Sequence, residues 1–308
     1  MRAVTVAAPA STANLGAGFD VFGMALDGRH DTVRVAESGD HSITITSDGG
    51  VPSDPGRNTA GIVAGAIQDD FGTGGVHIII RKGVPAGYGM GSSAASAAAA
   101  AVACNELFGL GLDRTTLVRY AGYGERASAG AIHYDNVAAS VCGGFVIVRT
   151  DPLGVTALQP PGGLALCVAV PDTKVPEGKT RVSRGVVPKS IPLGSVTANV
   201  ASAASMVAGV MGGDIGMMGE SVRDTIAEPA RMGMIPGYGD VKRLAVEAGA
   251  AGVTISGAGP SVIALMDGDS RMAEVREAMR EGFARAGVGC TTIPCRPAAG
   301  AHITGDLP

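Results

Sequence analysis

The stretch that decides the fold runs Pro85-Ala86-Gly87-Tyr88-Gly89-Met90-Gly91-Ser92-Ser93-Ala94-Ala95, here called the glycine loop. It follows a β-branched segment, residues 76–81, that predicts a buried strand, and it precedes an alanine-rich helix predicted over 94–108. Three alternating glycines permit a positive φ, and one of the two serines is placed to cap the helix. The N–H groups of a helix start attract anions, so the loop predicts a phosphate site; a serine-capped turn without a ligand is the alternative.

Around this loop, strands and helices mix without a strict alternation. Strands are expected over residues 4–7, 32–36, 43–47, 144–149, 164–170, 252–256, 261–266 and 289–294. Helices are expected over 58–71, 115–129, 196–211, 240–249 and 270–286. Many of the strands are expected to be antiparallel neighbours, which favours an α+β fold over a doubly wound parallel sheet. A domain boundary is expected near residues 150–160, where a hairpin turn is the alternative.

Composition excludes several classes of function. The chain has 308 residues, of which 46% are apolar and 17% charged, enough for one or two packed domains. A net charge of −4 without a dense run of lysine or arginine argues against nucleic acid. The longest weakly polar run, residues 94–104, is too short to cross a bilayer, so no membrane is expected, and residues 2–11 do not resemble a signal peptide. Five cysteines without a CxxC pair argue against disulfides and zinc and favour a cytoplasmic location.

Other nucleotide signatures fail. The tripeptide Gly178-Lys179-Thr180 resembles the end of a Walker A motif, but Thr173 stands where the first glycine of that motif is required. The glycine loop also lacks the GxGxxG spacing of dinucleotide folds. The loop therefore has to be interpreted together with the rest of the chain.

Three separated segments resemble the three motifs of the GHMP kinase superfamily. They are residues 8–20 (APASTANLGAGFD), the glycine loop, and residues 255–261 (ISGAGPS). Within the superfamily, the first motif is most similar to that of homoserine kinases. In this chain, Ser11 and Thr12 stand where mevalonate kinases and galactokinases usually carry a lysine or arginine. Residues 128–137, 180–188 and 228–236 agree with this family. Tyr88 and Met90 depart from its usual small residue and leucine.

The resemblance implies an α+β GHMP kinase fold of two domains. Residues 1–155 would form the ATP-binding half, similar to domain 2 of ribosomal protein S5, and residues 156–308 a ferredoxin-like half. The implied reaction uses ATP and Mg²⁺ to phosphorylate the hydroxyl of L-homoserine, in threonine biosynthesis. A homodimer is left open, and neither nucleic acid nor membrane is expected as a partner.

The resemblance also assigns the nucleotide site. The glycine loop, residues 85–95, would hold the phosphates, and Ser93 and Glu125 would hold Mg²⁺, a hard cation that prefers oxygen ligands. The alternative for Glu125 is an ion pair with Arg119 or Arg126 on a solvated helix face. Asn58 would contact adenine, although a helix N-cap is its alternative. Thr180 would donate to the γ-phosphate.

The implied substrate is a hydroxylated amino acid. Arg184 and Arg231 would bind its carboxylate, because a guanidinium matches a carboxylate plane; surface salt bridges are the alternative. Asp20 and Asn14 would suit the ammonium and hydroxyl, with an Asx-stabilised turn as the alternative. The remaining residues expected in the pocket are His133, Asp135, Asn136 and Gly257. Asp135 is a candidate general base, and transfer without a base, by proximity and charge, stays open.

Two other functions compete with this interpretation. Another small-alcohol kinase of the superfamily, of the mevalonate type, would share most of the motifs. A catalytically inactive regulator with the same fold would be expected to have lost Glu125, Ser93 or the glycine loop, and the sequence keeps all three.

Overall fold

The computed structural model describes residues 2–48, 50–129, 132–176 and 178–305, with the backbone alone for 126–129. The first half contains β1 (Ala3–Asn14), β2 (Gly18–Glu37), β3 (Ile43–Ser47), α1 (Thr59–Phe71), β4 (Val76–Arg81), α2 (Ser92–Phe108), α3 (Arg114–Ala129), α4 (Tyr134–Cys142), β5 (Phe145–Thr150) and β6 (Leu153–Leu158). The second half contains β7 (Leu164–Pro171), α5 (Lys179–Gly185), α6 (Leu193–Gly212), α7 (Ile215–Glu220), α8 (Ala227–Arg231), α9 (Tyr238–Glu247), β8 (Gly252–Ile255), β9 (Val262–Asp267), α10 (Met272–Arg285), β10 (Cys290–Cys295) and β11 (His302–Thr304). Gly130 and Ala131, inside the segment 128–137 quoted above, lie outside the described residues.

Sheet one is built mainly from the first half of the chain. Its order is β11-β1-β2-β4-β3, and β5 and β6 continue it from β2. The long hairpin of β1 and β2 changes register after Pro9. Along the edge of β2 that faces away from β1, the first part of the strand pairs with β5 and the last part with β4. Sequence patterns predicted only residues 4–7 and 32–36 of this hairpin, because glycine and charged residues weaken the strand signal elsewhere in it.

Helix α2 lies at the centre of the first half. Every residue from 94 to 101 is buried, and alanine side chains let α2 contact α1, α3 and α4 as well as β1 and β2. The helix begins at Ser92, two residues earlier than expected, and its N-cap is Gly91. The predicted serine cap is wrong, because the Ser92 hydroxyl donates instead to the carbonyl oxygen of Val84, at 2.9 Å.

Sheet two is antiparallel, with the order β10-β7-β9-β8. Successive side chains of β7 alternate between two apolar cores: Leu166 and Val168 face the core shared with sheet one, whereas Cys167 and Ala169 face α9 and α10. A central strand buried on both faces explains its uninterrupted apolar sequence. The α+β class is thereby confirmed.

The change from sheet one to sheet two occurs between Leu158 and Leu164. The expected division after residue 155 falls inside β6, and β11, which lies in the expected second half, pairs with β1. The hairpin that was the alternative at 150–160 is formed by β5 and β6. We therefore place the proposed domain boundary at residues 159–163.

Helix α6 is uncharged along its 20 residues. By length and composition it could cross a membrane, with a mean hydropathy of 1.3 and 22% of its most apolar window buried. The expectation that residues 94–104 form the longest weakly polar run is therefore wrong, because α6 is longer. Its buried Asn199 hydrogen-bonds with Asp224 and Thr225, which attaches the helix to the segment before α8.

Gly124 sets the approach of α3 to α1 and α2. A Cβ here would lie 2.8 Å from the Thr59 carbonyl oxygen and 3.1 Å from the Ala97 Cβ. We expect Gly124→Ala to lower the free energy of unfolding by about 1–3 kcal/mol, because relieving these contacts displaces a helix. In the control Gly65→Ala, the nearest atom is Ile43 Cδ1 at 3.8 Å, so better helix propensity should add about 0.5–1 kcal/mol. Denaturant titration measures both, and equal effects would contradict the close packing.

Candidate active site

A cavity of about 380 Å³ lies where residues from both halves of the chain meet. The glycine loop and Glu125 of α3 border one end, and Asp20, His133 and Arg184 border the other. Most of the predicted site residues line this cavity. They are Asn14, Asp20, Asn58, Ala86, Gly87, Gly89, Gly91, Ser92, Ser93, Ala94, Glu125, His133, Asp135, Asn136, Thr180, Arg184, Arg231 and Gly257.

Four members of the predicted nucleotide set do not line the cavity: Pro85, Tyr88, Met90 and Ala95. Met90 and Ala95 are buried in the core. The Tyr88 hydroxyl donates to the carbonyl oxygen of Thr173 at 2.9 Å, which links the loop to the segment before α5. Met90 and Tyr88 therefore attach the loop to the rest of the protein.

The three sequence motifs meet at the glycine loop. Gly87, Gly89 and Gly91 all have a positive φ, of 85°, 78° and 67°. A Cβ on Gly89 would lie 2.2 Å from the Ser256 carbonyl oxygen, and one on Gly91 would lie 2.1 Å from the Ser11 hydroxyl. Glycine at the N-cap also leaves the first N–H groups of α2 without a side-chain acceptor from that position. This loop can therefore present N–H donors to an anion at close range.

A buried ion pair supports the loop from below. Asp31 of β2 is fully buried and accepts hydrogen bonds from the Lys82 ammonium, from the Ser96 hydroxyl at 2.7 Å, and from the N–H groups of Gly83 and Val84, both at 3.0 Å. Burial lowers the pKa of Lys82, and the Asp31 charge opposes this shift. Sequence analysis did not single out this pair, because its partners are 51 residues apart and neither belongs to a motif.

Glu125 lies opposite the start of α2. Its carboxyl is buried, which makes the alternative of a solvated ion pair with Arg119 or Arg126 wrong. Burial raises the pKa of Glu125, and the hydrogen bond from the Ser93 hydroxyl acts in the other direction. The two predicted metal ligands are thus brought together in the structure.

At the other end of the cavity, Asp20 and Arg184 pair directly. One guanidinium nitrogen lies 2.7 Å from each Asp20 oxygen and 2.8 Å from His133 Nδ1. Burial opposes ionisation of Asp20, but the hydrogen bonds from His133 and Arg184 outweigh it and keep the pKa of Asp20 below its usual value. The guanidinium groups of Arg184 and Arg231 both lie over the Phe19 ring, at 5.3 and 5.0 Å.

Arg231 and Asn14 converge on the carbonyl oxygen of Gly257. The Asn14 amide donates to it at 2.8 Å and Arg231 Nη1 at 3.3 Å, while Arg231 Nε donates to the Ser183 carbonyl oxygen at 3.0 Å. Arg231 is buried, so a surface salt bridge is wrong for this residue. Asn14 Oδ1 also accepts from the Asp20 N–H at 3.1 Å, which stabilises the turn as the alternative stated, although the bond spans six residues rather than the two of an Asx turn.

Asp135 and Asn136 open helix α4 at the floor of the cavity. Asp135 Oδ1 accepts from the Asn136 N–H at 2.7 Å, and Asn136 Oδ1 accepts from the Ser11 hydroxyl at 2.9 Å. Burial, helped by the nearby charge of Asp20, raises the pKa of Asp135 to about 6. A carboxyl with such a pKa can exchange a proton near neutral pH.

Comparison with known proteins identifies the family. The GHMP kinases N terminal domain family matches residues 58–144, and the GHMP kinases C terminal family matches residues 204–285. A homoserine kinase of Thermoplasma acidophilum is 41% identical over 98% of this chain and 97% of its own length. The chain belongs to the homoserine kinase family of GHMP kinases.

Two further relatives agree with this assignment. A homoserine kinase of Halobacterium salinarum is 45% identical over 97% of this chain and 95% of its own length. A crystal structure of homoserine kinase from Cytophaga hutchinsonii superposes with a TM-score of 0.92, with 36% identity, over 99% of this chain and 98% of that chain. Both the GHMP fold and the family resemblance are confirmed.

Within this family fold, Asn58 has a structural role. Its side-chain oxygen accepts from the Ala60 N–H at 2.9 Å and its amide donates to the Pro52 carbonyl oxygen at 2.7 Å. These bonds make it the N-cap of α1, as its alternative interpretation stated. Its position on the cavity wall leaves the adenine contact a prediction.

Several cavity residues were missed by sequence analysis. They include Arg57, Lys82, Ser96, Val175 and Lys179. For Lys179, a signal was available in the tripeptide Gly178-Lys179-Thr180, which was set aside because it does not complete a Walker A motif. For Arg57 and Val175, nothing in the local sequence distinguishes them from ordinary loop residues.

The raised pKa of Asp135 makes stability depend on pH. The folded protein holds this proton up to about pH 6, whereas an ordinary aspartate releases it near 3.8, so folding loses stability as the pH rises through this interval. Asp135→Asn keeps the acceptor for the Asn136 N–H and removes the titration. Relative to the parent protein, the variant should gain up to about 3 kcal/mol of unfolding free energy between about pH 4 and pH 7. Urea titrations across this range test the prediction, which a pH-independent difference would contradict.

Proposed function

We propose that this protein transfers the γ-phosphoryl group of ATP to the hydroxyl of L-homoserine, in the cytoplasm, as a step of threonine biosynthesis. The products are ADP and O-phospho-L-homoserine. One observation carries the proposal: the cavity has an anion-binding glycine loop at one end and the opposite charges of Asp20 and Arg184 at the other. The names of the relatives, at 41 and 45% identity, support the same substrate.

The glycine loop would bind the phosphates of ATP. Its positive-φ glycines and the first N–H groups of α2 suit phosphate oxygens. Glu125 and Ser93 fit Mg²⁺, because a buried carboxylate and a hydroxyl are hard oxygen ligands. Within the described part of the chain, no three His, Cys, Asp or Glu residues form a metal cluster, which suits a cation whose other ligands are phosphate and water. When bound, Mg²⁺ neutralises charge on the phosphates.

The α-amino and α-carboxylate groups of homoserine would enter the Asp20–Arg184 pair. The ammonium takes Asp20 as its partner and the carboxylate takes Arg184 and Arg231. Because each protein charge exchanges one partner for another, the ligand leaves neither Asp20 nor Arg184 without a counter-charge. Asn14 and His133 border this end of the cavity and complete the pocket.

The substrate hydroxyl would then point towards the glycine loop. Asn136 and Thr180, which both line the cavity, would orient it and the γ-phosphate. Asp135 is the candidate to receive the hydroxyl proton, because its pKa of about 6 suits proton transfer near neutral pH. Transfer by proximity and charge without a protein base is the other route.

The two rival functions are weaker. An inactive regulator would have no need to keep Glu125, Ser93 and the glycine loop around one cavity. Mevalonate carries a carboxylate but no ammonium, so a kinase acting on it would leave Asp20 without a ligand group.

A substrate panel tests the choice of substrate. We expect L-homoserine to be phosphorylated far better than mevalonate or galactose. L-Serine, one methylene shorter, should be about a hundredfold slower, because its clamped α-groups hold the hydroxyl away from the γ-phosphate.

The ammonium contact is tested with Asp20→Asn. This variant should raise KM for homoserine about 30-fold or more and leave KM for ATP nearly unchanged. The control Asp69→Asn, on the exposed face of α1, should change neither constant. Better turnover of mevalonate or a sugar would refute the named reaction.

The metal assignment is tested with Glu125→Gln, which keeps the size of the side chain and removes its charge. We expect kcat to fall about a hundredfold or more at saturating ATP, because the cation loses its protein carboxylate. The Mg²⁺ concentration needed for half-maximal activity should rise for the same reason. Glu106→Gln, on an exposed position of α2, is the matched control. A Glu125→Gln enzyme with parental kcat at saturating Mg²⁺ would remove Glu125 from the site.

A further inference from the structure

The cavity is lined by several cations, and their partners differ. Lys82 is paired with Asp31, and Arg184 is paired with Asp20. Arg231 donates to two carbonyl oxygens and lies over Phe19. Among the ion pairs of the described residues, none includes Lys179, whose ammonium donates to the carbonyl oxygen of Gly259. Lys179 is therefore a partly buried cavity cation that has no carboxylate partner within that part of the chain.

The position of this ammonium is fixed by its acceptor. The Gly259 carbonyl oxygen lies 2.8 Å from the point that a Cβ on Gly89 would occupy, so Lys179 Nζ lies beside the middle of the glycine loop. Helix α5 is held against the same segment by a second bond, from the Ser183 hydroxyl to the Ala258 carbonyl oxygen at 3.1 Å. Lys179 thus stands at the phosphate end of the cavity, whereas Arg184 of the same helix reaches the substrate end.

The electrostatic setting of Lys179 points to an anionic ligand. Burial, with a further contribution from the charge of Arg231, lowers the pKa of Lys179 to about 8. A cation held in such surroundings is poorly solvated, and an incoming phosphate would supply the missing counter-charge. The first motif offers no cation of its own here, because Ser11 and Thr12 are neutral and bonded to Asn136 and Ser256.

We propose that Lys179 is a further catalytic residue, whose ammonium binds the γ-phosphate of the nucleotide and neutralises charge on the phosphoryl group during transfer. This inference rests on the kinase activity proposed above. Phosphoryl transfer depends on positioned cations that stabilise the equatorial oxygens of the transferred group. Lysine acts there as a point charge brought by α5 from the second half of the chain, outside any Walker A loop.

The test compares three variants with the parent enzyme. Lys179→Met removes the charge, Lys179→Arg keeps it, and Lys189→Met removes an exposed lysine of the segment after α5. Steady-state kinetics with homoserine give kcat, and calorimetry gives the affinities for ADP and for a non-hydrolysable ATP analogue without turnover. Thermal melting establishes that each variant is folded.

We expect Lys179→Met to lower kcat about a hundredfold or more. Its affinity for the ATP analogue should fall about tenfold further than its affinity for ADP, because only the analogue carries the γ-phosphate. Lys179→Arg should regain kcat to within about tenfold of the parent, and Lys189→Met should match the parent in all three measurements.

Two results would overturn the proposal. A folded Lys179→Met enzyme with kcat within about threefold of the parent would exclude a role in transfer. Equal losses of affinity for ADP and for the ATP analogue would mean that Lys179 only holds α5 against Gly259. A third combination separates this inference from the proposed function. If the parent enzyme does not phosphorylate homoserine, but the Lys179→Met variant binds the ATP analogue selectively more weakly than the parent does, the proposed substrate is wrong and the phosphate contact of Lys179 stands.

Discussion

The buried carboxylate of Asp31 is the constraint on which the site depends. A carboxylate without solvent has to be matched by donors, and here the donors come from the end of β4, from the entry of the glycine loop and from α2. Removing either member of such a pair typically costs about 3–5 kcal/mol, because the other charge stays buried. Asp31 therefore fixes where the loop leaves the sheet, and the close contacts of Gly89 and Gly91 fix the rest of its path.

Charged side chains lie at both ends of the cavity. At the loop end, Lys179 lies beside Gly89, and the acidic Glu125 lies beside Ser93 at the start of α2. At the other end, Asp20 and Arg184 hold each other in place. Because opposite charges meet at this end, the pocket suits a ligand that bears both signs, which can bind by exchanging partners. A ligand bearing one sign alone would leave an unmatched charge behind.

Sequence patterns predicted the parts of this molecule that are local. Alternating glycines followed by a run of alanines specify a loop and a buried helix, and both lie within one or two residues of the expected bounds. The Asp31–Lys82 pair could not be predicted, because it depends on contacts between residues 51 positions apart. The serine cap failed for a related reason: the Val84 carbonyl oxygen competes for the Ser92 hydroxyl, and only the folded loop brings the two together.

The pairing of β11 with β1 has a consequence for folding. Thr5 and Thr304 are register partners, and the Thr304 hydroxyl reaches the Thr5 carbonyl oxygen across 299 positions of sequence. During synthesis on the ribosome, this edge of sheet one cannot form until residues 302–304 have emerged. Contacts of such high sequence separation make folding slow, since a long chain has to be closed before they form. Until that moment this edge of β1 has unpaired N–H and C=O groups, to which a strand of another chain could bind.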